Sequence, residues 1–162
     1  MKTSLIIMLI LLSAGLWAKT TGDNFVVANG VTYYCETMKT GFTKTHIYTK
    51  DGNIINVPNN NVKAYRLNGH LFELLPLVNF SGDTVDLAFM ELIAIRNGIR
   101  LYKYCSNCCK YDPLDNVIAP LNRVFRYYIY KNGKMKLLTN EVETNNILAF
   151  FNVKVINDIK GN

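Results

Sequence analysis

Three of the four cysteines in this 162-residue chain fall within five positions, Cys105-Ser-Asn-Cys108-Cys109, and Cys35 is the fourth. No other constellation in the sequence carries as much chemical potential. An even count in an exported chain argues first for disulfides. Pairing Cys108 with Cys109 needs a strained vicinal ring, so the preferred sets join Cys35 to a member of the cluster. Such a bridge closes a loop of about 70 residues, which the chain-entropy argument values at roughly 4 kcal/mol. Zinc is the sharper alternative, because two thiolates at C-x-x-C spacing share one tetrahedral ion and Cys109 and Cys35 complete a four-thiolate set. A second C-x-x-C pair is missing. A redox pair also needs its first Cys at a helix N-terminus, whereas Lys110-Tyr-Asp-Pro113 reads as a turn. The expectation is therefore no cofactor, with zinc at the cluster as the exception to test.

Other chemistry is thinner. His46 and His70 are the two histidines, both on expected strands, and read as partly exposed strand residues. Nothing resembles a G-x-S-x-G elbow, a P-loop, H-E-x-x-H or an EF-hand. Asp83 with Asp86, and Asp112 with Asp115, read as turn and loop residues, so no catalytic residue is assigned. Tyrosine is abundant, with ten in the chain. Tyr102, Tyr104, Tyr128 and Tyr130 alternate along two expected strands and so share a sheet face, where they could stack on sugar rings or on a partner. The same residues are ordinary strand formers. Packing is the preferred reading, since adjacent Tyr127 and Tyr128 must point to opposite faces.

The elements that position these residues are set by five turn dipeptides: Asn29-Gly30, Asp51-Gly52, Asn68-Gly69, Asn97-Gly98 and Asn132-Gly133. Each lies between runs rich in Val, Ile, Tyr, Phe and Leu. A two-residue type I′ turn requires positive φ at both central residues, which Asn-Gly and Asp-Gly supply best. Closing each as a two-residue hairpin predicts a register. Val26 faces Tyr33 and Phe25 faces Tyr34; Tyr48 faces Ile55 and His46 faces Val57; Tyr65 faces Phe72. Ile93 faces Tyr102, Glu91 faces Tyr104 and Met90 faces Cys105, while Tyr128 faces Leu137 and Tyr130 faces Met135. Residues 86–96 also fit a helix, but their apolar side chains surround it instead of forming one stripe, so strand is preferred. Asn140-Glu-Val-Glu143 has capping-box spacing and predicts one helix over 141–152, with Val153, Val155 and Ile156 as a final strand.

Residues 1–18 read as an export signal: Lys2, then the apolar run Leu5 to Leu12, then small residues and a cleavage point at Ala18. That run is too short for a membrane span, so no transmembrane segment is expected. Residues 19–162 are one domain's worth of chain. The net charge of +6 is dispersed, with no basic cluster of the kind nucleic acid needs. It suits a solvated surface with mild attraction to anionic lipid or glycan.

Phe89-Met-Glu-Leu-Ile-Ala-Ile-Arg-Asn-Gly-Ile-Arg-Leu-Tyr-Lys-Tyr104 resembles a segment of small exported β-rich proteins of Bacteroidota, an F-M-E hairpin followed by an L-Y-x-Y strand. Tyr127-Tyr-Ile-Tyr-Lys-Asn-Gly133 resembles their later hairpin, and Lys50-Asp51-Gly52 an upstream turn. The resemblance spans roughly residues 45–155 and rests on hairpin signatures. It implies a fold and an exported location, in periplasm, cell envelope or exterior, and no active site; the cysteine cluster is not part of the pattern.

The expected fold is all-β, a mostly antiparallel meander curling into a roll or half-open barrel, with one short C-terminal α-helix. The expected function is a non-catalytic exported module that binds an envelope protein or glycan through an edge strand or the 105–122 loop. The alternative is a thiol-based metal or redox protein centred on Cys105, Cys108 and Cys109. A small hydrolase comes third, with no motif behind it.

Overall fold

The computed structural model describes residues 23–105 and 124–153. The chain runs β1 (Asn24–Ala28), β2 (Val31–Cys35), β3 (Thr37–Thr40), β4 (Lys44–Tyr48), β5 (Ile54–Pro58), a 3-10 turn (Asn59–Asn61), β6 (Val62–Leu67), β7 (His70–Val78), β8 (Thr84–Arg96), β9 (Ile99–Cys105), β10 (Phe125–Lys131), β11 (Lys134–Leu137) and α1 (Glu141–Phe150). The mostly antiparallel β architecture with one helix near the C-terminal end is as expected. The expected export signal (1–18), the Asp112 and Asp115 pair, and the strand proposed beyond Val153 lie outside the described residues.

Eight strands form one sheet in the order β11-β10-β9-β8-β7-β6-β1-β2, and β3-β4-β5 form a second sheet of three. The second sheet departs from a simple meander. After β2 the chain leaves to build β3–β5, then returns through the 3-10 turn to lay β6 beside β1. The large sheet curls enough to bring β11 back against β7, yet β2 and β11 remain its edges, so it is a half-open roll and not a closed barrel.

Four Asn-Gly turns behave as their chemistry dictates. Asn29, Asn68, Asn97 and Asn132 have φ of 54°, 51°, 51° and 50°, each followed by a glycine between 73° and 82°. That is the type I′ signature. The register next to these turns follows: Val26 faces Tyr33, Tyr65 faces Phe72, Ala94 faces Leu101 and Tyr128 faces Leu137.

Asp51-Gly52 departs from prediction. Only Gly52 enters the positive-φ region, at 81°. Gly52 N–H donates to the Thr49 carbonyl and Thr49 N–H to the Asn53 carbonyl. This is a three-residue loop with the glycine in its bulge, the next commonest hairpin form. One extra loop residue moves the register by one. His46 faces Asn56 instead of Val57, and Tyr48 faces Ile54 instead of Ile55. Ser81-Gly82 makes the same kind of turn between β7 and β8, with Gly82 at φ 88° and Asn79 Oδ1 accepting from the Ser81 and Asp83 N–H groups.

A bulge between Leu92 and Ala94 corrects the fourth hairpin. It places Leu92 opposite Tyr102 and Glu91 opposite Lys103, where Ile93 and Tyr104 were expected. The gain is in packing. Met90 and Leu92 stay on the tyrosine side, while Ile93 and Ala94 both turn toward α1.

Three apolar clusters hold these layers. Val26, Ala28, Cys35, Ile47, Val57 and Val62 join the small sheet to the β1–β2–β6 end. Val78, Met90, Tyr102, Tyr128 and Leu137 fill the hollow of the roll. Leu101, Leu138, Leu148 and Phe151 seat α1 on the opposite face. Fully burying a side chain such as Leu148 stabilises by about 1.5–3 kcal/mol. The ends of α1 are fixed as well. Asn140 Oδ1 accepts from Glu143 N–H at 2.7 Å, while the Glu143 carboxylate reaches the Thr139 N–H at 3.5 Å, one residue upstream of the box partner. At the other end Arg96 lies 4.8 Å over the Phe150 ring and donates to the Phe150 carbonyl, a cation placed where the helix dipole is negative. Replacing the cap by Asn140→Ala should cost about 1 kcal/mol in urea unfolding, and Asn140→Asp much less.

Candidate functional site

The cysteines separate. Cys35 closes β2, is 1% exposed and is a free thiol, so the expected bridge from Cys35 to the cluster is not formed. The sheet order explains why Cys105 in particular is out of reach. Cys105 ends β9, five strands from β2, which at about 4.8 Å per strand is roughly 24 Å along the sheet; a disulfide needs Cα atoms within about 7 Å. Burial pushes the Cys35 thiol pKa up, the opposite of what a metal-ligating thiolate requires. Cys108 and Cys109 lie outside the described residues. Among the described residues, no group of three or more His, Cys, Asp or Glu side chains is placed to hold a metal ion.

The four tyrosines do share a face. Tyr102 pairs with Tyr128, Tyr104 with Arg126 and Tyr130 with Arg100 across β9 and β10, and Tyr127 points to the helix side. Tyr102 and Tyr128 are 0% exposed, closed into the roll, whereas Tyr104 and Tyr130 are half-buried. Tyr102 Oη donates to Glu73 at 2.5 Å, and Arg100 lies 3.8 Å from the same carboxylate. Burial, reinforced by that carboxylate, drives the Tyr102 pKa well above its ordinary value. Tyr102 is therefore a fixed hydrogen-bond donor. Tyr128 Oη is buried and makes no hydrogen bond of good geometry; burial raises its pKa, opposed by the nearby Arg126 guanidinium.

Glu91 sits at the centre of a second polar set on β8. Its carboxylate accepts from Lys103 at 2.8 Å and from His70 Nδ1 at 2.6 Å. Burial alone would raise its pKa, but the two donors outweigh burial and hold it below the usual glutamate range.

An accessible hollow lies elsewhere, on the outward face of the small sheet. Lys39, Thr40, Gly41, His46 and Tyr48 line about 460 Å³, within the few-hundred-Å³ range of small-ligand sites. The one-residue register shift at Asp51-Gly52 creates this face. Thr45, Ile47 and Val57 turn inward and are buried, leaving His46 and Tyr48 outward. Asn59 holds the β3–β4 turn that forms the rim. Its Nδ2 donates to the Gly41 and Phe42 carbonyls at 2.9 and 3.2 Å, its N–H donates to the Thr43 carbonyl, and its Oδ1 accepts from buried Thr45 Oγ1 at 2.9 Å.

Inside the hollow, His46 Nδ1 donates to Asn56 Oδ1 at 2.5 Å, since an amide oxygen only accepts. In the neutral ring that leaves Nε2 free to accept. Gly41 is needed for space: a Cβ there would meet the Lys44 carbonyl oxygen at 3.1 Å and His46 Nε2 at 3.6 Å. Lys39 Nζ stands 5.7 Å from the Tyr48 ring centre, a cation–π distance.

No protein-family model, curated protein or solved structure matches this chain. Function must therefore be read from the site itself. Sequence reasoning treated His46 as a strand residue and did not find the hollow. Its signals were the polar Asn run after Pro58, which ends β5 and supplies the Asn59 clamp, and a glycine at 41. Among the described residues, no helix is long and apolar enough to cross a membrane.

Two expectations follow. Tyr102→Phe strips Glu73 of its donor and should cost about 1.5–3 kcal/mol, whereas Tyr128→Phe removes a hydroxyl with no well-formed hydrogen bond and should cost much less in denaturant unfolding. For Glu91, a folded pKa below the unfolded one contributes stability that is fully present above the ordinary value of about 4.3 and is lost as pH falls through the folded value. Glu91→Gln should flatten the stability–pH slope in that acidic window, read from urea midpoints measured between pH 3 and 6.

Proposed function

We infer that this protein is an exported, non-catalytic binding module for a protein or glycan partner, acting in the periplasm or cell envelope as its resemblance to small Bacteroidota proteins implies. The observation that carries this reading is the hollow lined by Lys39, Thr40, Gly41, His46 and Tyr48. It combines an aromatic ring, a cation and an oriented imidazole, the few polar groups on an otherwise apolar wall that ligand sites use. The tyrosine face is the weaker candidate, because Tyr102 and Tyr128 are spent on packing. The site is built on paired strands with a clamped turn, which favours a preorganised binding surface.

The test is position-specific photo-crosslinking in the native envelope. A benzoylphenylalanine in place of Thr40 should give a discrete adduct that a probe in place of Lys134, on the β11 edge, does not. Filling the hollow by Gly41→Leu should abolish it. Equal adducts from both positions, or none from position 40, would sink the reading.

A further inference from the structure

The hollow on the small sheet has a charge pattern that narrows its ligand. We propose that it binds an acidic saccharide, with the sugar's carboxylate or sulfate held by Lys39 and a sugar hydroxyl donated to His46 Nε2; this rests on the binding-module reading above.

The first support is uncompensated charge. Lys50, Arg100, Lys103 and Lys136 each have a carboxylate within ion-pair range, from Asp23, Glu73, Glu91 and Glu143. Lys39 and Lys44 have none among the described residues, as is also true of Lys63, Arg66, Arg96, Arg126, Lys131 and Lys134, but of these Lys39 is the one that lines the hollow. The contact found for Lys39 is the Tyr48 ring, which leaves its ammonium exposed beside the hollow. Cationic walls without a counter-charge concentrate anions.

The second is the pairing of a cation with an acceptor. His46 Nδ1 is committed to Asn56, so the neutral ring offers Nε2 only as an acceptor. A ligand satisfying both groups needs an anionic oxygen and a hydroxyl donor a short distance apart. An acidic sugar carries both on one ring. Fully deprotonated anions such as sulfate or acetate carry the first alone.

The third is where the hollow opens. Both edges of β4 are hydrogen-bonded, to β3 and to β5, so at β4 the face offers side chains alone, and the free ladders of the small sheet are the outer edges of β3 and β5. A peptide added as an extra strand would pair at one of those edges instead of lying on this face. Discrete side-chain contacts beside an aromatic ring suit a saccharide better.

The mature chain, labelled with ¹⁵N, would be titrated with tetragalacturonate, with its neutral methyl ester and with a tetraglutamate peptide. The acid should shift the Thr40, Gly41 and His46 amides and bind at least tenfold tighter than the ester. Lys39→Ala should weaken it about fivefold, near 1 kcal/mol, and Lys39→Arg should restore binding. Equal binding of the ester overturns the anionic assignment, and equal or tighter binding of the peptide overturns the saccharide. Silence of all three titrants at these amides also overturns the proposal, while the binding-module reading stands or falls on the crosslinks from position 40.

Discussion

Positive φ at Asn29, Asn68, Asn97 and Asn132 closes four hairpins after two residues, and because side chains alternate along a strand, this decides which residues meet in the core. The rest of the molecule depends on that constraint. Val26 reaches the first cluster, Tyr102 and Tyr128 the hollow of the roll, and Leu101 the seat of α1 because their hairpins cannot slip by one position without turning apolar residues to solvent. Asn at these positions is tolerated in the left-handed region better than other residues with a Cβ, and glycine follows at no steric cost.

Asp51-Gly52 shows what happens when the constraint is relaxed by one residue. The aspartate keeps negative φ, the loop grows to three, and Val57 and Ile55 share a face with Thr45 and Ile47 instead of with His46 and Tyr48. Thr45, Ile47 and Val57 seal the first core. His46 and Tyr48 turn out beside Lys39. The accessible site is thus a consequence of turn chemistry at one position, stabilised by Asn59, whose amide bridges the β3–β4 turn and the buried Thr45 hydroxyl. A buried hydroxyl such as Thr45 needs that acceptor, so one side chain both satisfies the core and shapes the rim.

The same physics explains what could be read in the sequence. Four registers were legible because Asn-Gly admits essentially one short turn. The Asp51 register was not, since Asp-Gly serves both two- and three-residue loops and the choice depends on Thr49, whose Oγ1 accepts from Asn53 N–H. The capping spacing of Asn140 and Glu143 located α1 to within two residues at its end. The bulge at Leu92–Ala94 was invisible because it answers a tertiary demand, placing Ile93 and Ala94 under α1 while Met90 faces the tyrosines. The cysteine count pointed rightly to a disulfide, which Cys105 forms, but not to the free thiol of Cys35. Parity says nothing about which strands become neighbours, and the excursion through β3–β5 puts Cys35 in a core that Cys105 does not share.

Charge is divided between the two sheets in a way that bears on function. In the large sheet the carboxylates of Glu73 and Glu91 are each surrounded by donors from neighbouring strands, and such sets fix register across β7, β8 and β9 more than they offer chemistry. A half-buried carboxylate already satisfied by two donors has little reason to release them to a ligand. In the small sheet Lys39 and His46 face outward with one partner each and free capacity left over. Saturated carboxylates hold the roll together, while the hollow keeps an exposed cation and an imidazole with spare capacity. That asymmetry, more than any motif, separates scaffold from candidate site in this chain.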